Sequence, residues 1–465
     1  MTETDYVNRL IDCNSPISNT EIWEREICSY FSSTEYREIN LAKKYFDGQQ
    51  DILKRKRTAI GEGGGIVEID NLPNNMIVDN QYRKAVIQKC NYLLGKPFIL
   101  ETDNKLLSDL LSVIFNSKIR RLLKKVALDA VNCGIGWLYL FYDEKGDLCF
   151  KRFSPGEIIP IWKNDEHSEL DAAIRIFTNE IYEGTKKRTV IKAEIYCENG
   201  VNYYEYQQGE LKAVYPFHRP YVTRADNEYN WNKIPIIAFK GNSFEIPLIK
   251  NVKSLQDALN TVFSDFMNNM QEDARNTILV IKNYDGENLA EFRKNLSSYG
   301  AVKVRTIDGL DGGVSTLSLN VGADNYKQLI EMLRRSIIEN TMSYDAKNDR
   351  LGQSPNQINI KSMYNDIDLD ANETETEFQA SMEELLQFIV WHFSNTEGKS
   401  FAMEKIRVIF DRDMMMNEPE IIDGVLKSSA LLSTKTALAN HPFVKDVNLE
   451  IENLKSEKNH GREIL

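Results

Sequence analysis

The strongest constraint on this chain is a period. Leu248, Val252, Leu255, Leu259, Val262, Phe266 and Met270 step by four and three alternately, a spacing that keeps apolar side chains on one helical face. It predicts a helix over residues 247–274, about 40 Å long at roughly 1.5 Å per residue. Ile249, Ala258, Phe263 and Met267 widen the apolar surface beyond a single seam, so such a helix needs neighbours on more than one side. A second periodic run from about Asp324 carries Tyr326, Leu329, Ile330, Leu333, Ile337 and Ile338. Between the two runs, TILVIKNY, ENLAEFRKNLSSYG and AVKVRTI read as strand, helix, strand, with turn signals at Asp308-Gly309 and Gly312-Gly313 after them. Two helices leading into and out of a small α/β unit form a hairpin with a cap at its tip. So narrow an object cannot bury its apolar surface alone, and self-association into a symmetric assembly is expected.

The first half reads differently. Glu21 to Phe46 is one or two amphipathic helices. Asn80 to Leu94 is a helix with Tyr82, Val86, Cys90 and Leu93 on one face, stopped by Gly95 and Pro97, and Leu106 to Asn132 supplies one or two more. Then come WLYLFYDEKGDLCFKRF, AAIRIFTNEIYE, TVIKAEIYCENGVNYYEYQQGELKAVY and IPIIAF, rich in tyrosine, isoleucine and valine and joined by turns such as Glu144-Lys145-Gly146 and Glu198-Asn199-Gly200. An antiparallel sheet packed on helices is expected. Late in the chain, INIKSMYNDIDLDANETETEFQASMEELLQFIVWHF predicts a long helix with a kink or break near Asp370 to Thr376. The strand KIRVIF follows, then a capping-box-like Asn417 and Glu420, and helices over Ile421–Leu432, Ser433–Asn440 and Asp446–Lys458.

Charge limits the partners. Lysine and arginine number 57 against 69 acids, a net charge of −12, so the protein as a whole does not suit strong adhesion to nucleic acid, and contact with DNA must be local. Cys13, Cys28, Cys90, Cys133, Cys149 and Cys197 are scattered without a CxxC pair, which argues for reduced thiols over a zinc site or disulfide framework. The start, MTETDYVNRLIDCN, lacks the regions of a signal peptide, and no apolar run approaches a bilayer span. Synthesis and assembly in a cytoplasm are expected.

Several stretches suggest chemistry and then fall short of it. DIDLDANETETE, Asp366 to Glu377, sets acids at calcium-loop positions one, three, five and twelve, but Ala371 stands where the loop needs glycine and Glu373 where it is usually apolar. Solvated helix is the simpler reading. On a helix Asp366, Asp368 and Asp370 diverge by about 200° per step, against a metal-dependent nuclease site unless that piece is extended. GEGGGIV lacks the Lys-Ser or Lys-Thr of a phosphate-binding loop. Lys54-Arg55-Lys56-Arg57 is a nucleic-acid patch or, more simply, a solvated helix face. The histidines, His167, His218, His392, His441 and His460, are scattered and accompany no nucleophile motif. No metal, no cofactor and no catalytic residues are expected.

Taken in order, the segments resemble the portal protein of tailed bacteriophages, in the branch found in long-tailed (siphophage-type) phages. The resemblance rests on LPNNMIVDNQYRKAVIQKCNYLLGKPF, with its helix ending in Tyr-Leu-x-Gly-x-Pro, then PLIKNVKSLQDALNTVFSDFMNNMQEDA, ILVIKNYDGENLAEFRKNLSSYGAVKV, SPNQINIKSMYNDIDLDANETETEFQ and IFDRDMMMNEPEIIDGVLKSSALLSTKTALANHPFVKDVNLEIENL. It runs from about Glu35 to Leu454 without rearrangement. Relatives often carry glycine after the serine preceding the long helix, whereas here Pro355 and Asn356 follow Ser354.

The resemblance implies a helix-rich α+β, ring-forming fold: a wing over residues 1–246, stem helices over 247–274 and 324–343, and a β-α-β clip over 275–323. It further implies a tunnel loop over 344–359, a kinked helix and return strand of the wing over 360–416, and a helical crown over 417–465. It implies a ring of subunits, usually twelve, at one capsid vertex of a virion, with double-stranded DNA passing through without sequence reading. Partners would be the terminase large subunit, scaffold and major capsid proteins and head-tail adaptor proteins, with no membrane. The stretch AKNDRLGQSPNQIN then falls at the tunnel loop. Its Lys347, Asn348, Arg350, Gln353, Ser354, Asn356 and Gln357 are the candidates for facing DNA, with Lys282, Lys303 and Arg305 of the clip behind them. Stem packing falls to Leu248, Val252, Leu255, Leu259, Val262, Phe266, Leu329, Leu333 and Ile337. A few cations and amides on short loops touch phosphates transiently, whereas a channel lined with cations would hold DNA rather than pass it. The rival readings are a metal-dependent nucleic-acid enzyme using Asp366 to Asp370, and a helical scaffold that binds protein only.

Overall fold

The computed structural model describes residues 20–60, 65–68, 72–224, 227–231, 233–272, 278–282, 313–317, 323–345, 357–398, 400–401, 403–412, 417–444 and 447–459. The chain divides into two compact units. One comprises Met1–Asp47, Tyr82–Val252 and Ile338–Leu465, the other Gly48–Gln81 and Lys253–Ile337.

The first unit opens with helices α1 (Thr20–Ser32) and α2 (Thr34–Phe46). Ser33 separates them because its backbone is extended and its hydroxyl accepts from the Tyr36 N–H at 3.1 Å, which starts a new helix. In the second unit the strands β1 (Thr58–Ile60) and β2 (Ile66–Glu68) form a small hairpin. Helix α3 (Gln81–Leu94), strand β3 (Ile99–Glu101) and helices α4 (Lys105–Ile114) and α5 (Ser117–Cys133) follow. Asn104 and Asn116 cap α4 and α5.

The antiparallel sheet expected in the first half is present as two sheets. Strands β4 (Ile135–Tyr142), β5 (Leu148–Phe153), β6 (Ile158–Trp162), β7 (Leu170–Glu183), β8 (Lys186–Cys197), β9 (Gly200–Gln207) and β10 (Glu210–Arg219) precede a short hairpin, β11 (Val222–Arg224) and β12 (Asn227–Tyr229), and then β13 (Ile236–Lys240). The five-stranded sheet runs β10-β9-β8-β7-β6 and the three-stranded one β13-β4-β5, every pairing antiparallel. Trp23, Ile27 and Tyr30 of α1 pack with Ile161, Ile174, Ala193 and Ile195 of the larger sheet. The smaller sheet meets α5 so closely that glycine is required. A Cβ on Gly136 would lie 2.3 Å from the Val126 carbonyl oxygen, and one on Gly241 2.2 Å from that of Ala130.

In the second unit, helix α6 (Ile249–Glu272) continues from the first, and helix α7 (Ala323–Asn340) packs beside it through Leu259, Ile330 and Ile337. Between them β14 (Ile278–Lys282) pairs antiparallel with β15 (Gly313–Leu317), so the second glycine of the Gly312-Gly313 pair opens the partner strand. The helix and strand expected over ENLAEFRKNLSSYG and AVKVRTI lie outside the described residues.

The other face of α6 carries a feature that apolar spacing does not show. Gln256, Asn260, Ser264 and Asn268 recur at every fourth position and are wholly buried. A strap, residues 73–80, runs against them. The Asn75 N–H donates to Asn268 Oδ1 at 2.7 Å, the Ile77 N–H to Ser264 Oγ at 3.0 Å and the Asp79 N–H to Asn260 Oδ1 at 3.0 Å, while Gln256 Nε2 donates to the Asp79 carbonyl at 2.7 Å. Alternate strap residues thus pair with successive turns of α6. Two residues of extended chain span about 6.6 Å and four of helix about 6 Å, so the two repeats nearly coincide.

Helix α8 (Gln357–Glu397) runs 41 residues and is helical through Asp370–Thr376. The break expected there is absent because the polar residues have partners. Arg412 donates to Asp368, Asn372 and Glu375, Lys89 to Asp370, and Ser243 to Glu373. Thr374 Oγ1 donates to the Gly241 carbonyl at 3.1 Å and Ser381 Oγ to that of Ala238 at 2.7 Å, which binds the helix along β13. Strand β16 (Arg407–Ile409) pairs with β3. Helices α9 (Glu418–Ser428), α10 (Thr434–Ala439) and α11 (Val447–Asn459) close the chain. Asn417 caps α9 by accepting from the Glu420 N–H, and its amide donates to the Glu420 carboxylate. Neither α9 nor α10 buries a residue, and Leu426, Leu431 and Phe443 are exposed.

Candidate functional site

Residues 346–356 lie outside the described residues, and with them Lys347, Asn348, Arg350, Gln353, Ser354 and Asn356; Gln357 begins α8. Lys282 ends β14 opposite Gly313, and Lys303 and Arg305 also fall outside. What the structure places is the platform from which this stretch leaves and to which it returns.

That platform is α3. Where α7 ends, Thr341 is fully buried and its hydroxyl donates to Ser343 Oγ at 2.9 Å, while the Ser343 N–H donates back to the Ile338 carbonyl at 3.0 Å. The chain is then held from below. Lys89 Nζ donates to the Thr341 carbonyl at 2.9 Å and Gln88 Nε2 to the Tyr344 carbonyl at 2.8 Å. On the return side Tyr364 of α8 stacks on Tyr92 of α3 with ring centres 5.7 Å apart, and the Tyr344 ring lies 4.6 Å from the same Tyr364. Both ends of the polar stretch are therefore fastened to one helix, through one three-tyrosine stack.

Electrostatics reinforce the fastening. Tyr92 donates its hydroxyl to Asp368 at 2.9 Å, and burial together with that carboxylate raises the phenol far above its usual value, so it stays a neutral donor. Burial also raises the Asp370 carboxyl, against the opposing pull of Lys89 at 2.6 Å. The acids that suggested a calcium or catalytic cluster are thus drawn apart, Asp368 and Glu375 to Arg412, Asp370 to Lys89 and Glu373 to Ser243. Among the described residues no group of three or more histidines, cysteines, aspartates or glutamates is placed to hold a metal ion.

The proposed stem residues separate. Leu259, Leu255, Val262, Leu333 and Ile337 share the α6–α7 cluster with Ile330 and Phe263, and Phe266 meets Tyr326 at 5.0 Å. Leu248 and Val252 are buried. Leu329 is 42% exposed, beside Met332 at 66%. In the basic run, Arg55 pairs with Asp265 and Lys56 with Glu68, so these side chains serve folding, and only Lys54 belongs to a helical turn. A cleft of about 840 Å³ opens between β13 and α8, with Trp162, Trp391 and Phe401 on its walls and Glu384 and Lys233 among its charges. Burial lifts the Glu384 carboxyl to about 7 even with Lys233 drawing it down. Burial likewise pushes the Cys90 and Cys133 thiols up to about 12, as inert structural cysteines.

Sequence reasoning missed Gln88, Lys89, Tyr92 and Tyr344. The available signal was Tyr364 and Tyr92 on apolar faces of two helices flanking one polar stretch.

Comparison with known proteins converges on one family. The family model described as "Phage portal protein, SPP1 Gp6-like" matches residues 25–463. The portal protein of Bacillus phage SPP1 is 27% identical over 428 residues, 90% of this chain and 84% of that protein. The portal protein of Clostridium phage phiCD119 is 28% identical over 441 residues, 91% of this chain and 92% of that protein.

Proposed function

The chain belongs to the SPP1 Gp6-like phage portal protein family, and on that premise we propose that it forms a ring, of twelve subunits as is usual for portals, at one vertex of the capsid. It is a structural component of a phage particle, at the junction of head and tail. In our reading the ring passes double-stranded DNA inward under the terminase motor, retains it, and releases it through head-tail adaptor proteins, after helping scaffold and major capsid proteins begin the head in the host cytoplasm. The ATPase of the motor is a separate protein, and this chain has no turnover of its own.

The observation that carries this reading is the loop platform. AKNDRLGQSPNQIN leaves and re-enters on α3 through Tyr344, Tyr364 and Lys89, the support a short projecting loop needs to act on a moving strand. We assign that stretch as the tunnel loop, α6 and α7 as the stem, residues 275–323 as the clip, the sheets with α8 as the wing and residues 417–465 as the crown. Lys347 and Arg350 make brief phosphate contacts, set against a chain whose net charge of −12 opposes strong overall adhesion to DNA. The exposed Leu329 and Met332 of α7 and Leu426 and Leu431 near α9 are faces that neighbouring subunits cover.

Electron microscopy of the purified protein tests this. Rings with a central hole are expected, and a stable compact monomer would overturn the proposal. Alanine at Lys347 and Arg350 should leave rings intact and impair packaging or DNA retention.

A further inference from the structure

Helix α5 carries a charge pattern that its own folding does not explain. Residues 117–128, SKIRRLLKKVAL, hold Lys118, Arg120, Arg121, Lys124 and Lys125 and no acid, in a chain where acids outnumber bases 69 to 57. The apolar side faces inward, with Leu123, Val126 and Ala127 buried, and all five cations are exposed. Arg120 is partly engaged, since its Nε donates to the Phe115 carbonyl at 3.0 Å and its guanidinium lies 5.6 Å from the Phe98 ring. The other four make no side-chain ion pair with any described residue.

Lys118, Arg121 and Lys125 follow one another at three and four residues and so stand in a row, with Lys124 one turn after Arg120. Like charges at that spacing repel, and Lys118 in the first turn also opposes the helix dipole. Within the chain the arrangement is only unfavourable. It becomes favourable when anions neutralise it.

We infer that the exposed face of α5 is a docking surface for a nucleic-acid backbone, bound through phosphates without base reading. Protein interfaces centre on an apolar, charge-depleted patch in which lysine is under-represented. This face is the reverse: cations alone, three of the five lysine, with the apolar residues turned to the core. The row from Lys118 to Lys125 extends about 10 Å, along which duplex DNA presents about six charges. The basic run that invited this reading in the sequence, Lys54 to Arg57, is partly consumed by Asp265 and Glu68, whereas the α5 row is free for it. The inference does not depend on ring formation.

The test is binding of a short fluorescent DNA duplex to the full-length protein across a salt series. The wild type should bind at about 50 mM salt and weaken steeply as salt rises. The triple variant K118E/R121E/K125E should bind about tenfold or more weakly, with a log–log salt slope shallower by about three, one unit for each lost phosphate contact. Its melting temperature should match or exceed that of the wild type, which shows that it folds. The inference is overturned by absence of wild-type binding, by an unchanged slope in the triple variant, or by polyglutamate competing as well as unlabelled DNA of equal charge. Failure of ring formation with α5 binding intact counts against the portal assembly alone.

Discussion

Lys89 donates to the Asp370 carboxylate across 2.6 Å with its side chain only 8% exposed, and the same ammonium holds the Thr341 carbonyl at 2.9 Å. One buried charge thereby ties α8 and the end of α7 to α3. Asp370→Ala strips Lys89 of its counter-charge and should destabilise the protein by about 3 kcal/mol in denaturant titration. Limited proteolysis should also cut faster within residues 346–356, whose near anchor is Thr341. Unchanged cleavage there would separate the ion pair from the loop platform.

The strap along α6 makes a second prediction. Asn260→Leu keeps the branching of the side chain but removes its hydrogen bonds to the Asp79 N–H and to Gln50 Oε1. The two lost hydrogen bonds cost about 2–4 kcal/mol together. Amide hydrogen exchange should accelerate at Asp79 first and then at Ile77 and Asn75, while amides of the five-stranded sheet keep their protection.

The pH dependence has a definite sign. Glu384 titrates at about 7 in the folded chain because burial penalises its charged form, against a usual value near 4.5. The folded state therefore binds the extra proton between those two values, and stability falls as pH rises through that window and is level above it. The effect is on the order of 2–3 kcal/mol at most, since the side chain keeps some contact with water. Melting temperatures at pH 5.5 and pH 8 should differ in the wild type and converge in Glu384→Gln.

Gly136→Ala adds one methyl group where the Val126 carbonyl stands 2.3 Å away. The backbone of α5 cannot yield as a side-chain tip would, so a loss of about 2–3 kcal/mol is expected. A wild-type melting temperature for this variant would refute the close contact between β4 and α5.

Much of the fold was legible because burial imposes periods that hydrophobic residues display. Leu255, Leu259 and Val262 marked α6, the tyrosine-rich runs marked the sheets, and Asn417 marked a helix start. What stayed hidden was burial by polar residues. Gln256, Asn260, Ser264 and Asn268 look like a solvent face until a strap covers them. The acids of α8 look like a weak point until Arg412 and Lys89, distant in sequence, come to meet them. The candidate site divides the same way. Its polar stretch was visible as an interruption, while nothing local to Tyr92 and Tyr344 tied them to its ends.

The strap has one further property, that of a vernier. Each of its steps advances about 6.6 Å while four residues of α6 advance about 6 Å, so successive rungs drift apart by about 0.6 Å. Across the two strap steps from Asn75 to Asp79, set against Asn268, Ser264 and Asn260, the accumulated offset reaches about 1.2 Å, more than the distance range of a good hydrogen bond absorbs, and Gln256 reaches the same Asp79 through its carbonyl. A further rung would miss its partner. The helix thus measures out the length of chain it grips, and a strap lengthened by further Asn or Ser positions along α6 would gain no additional hold.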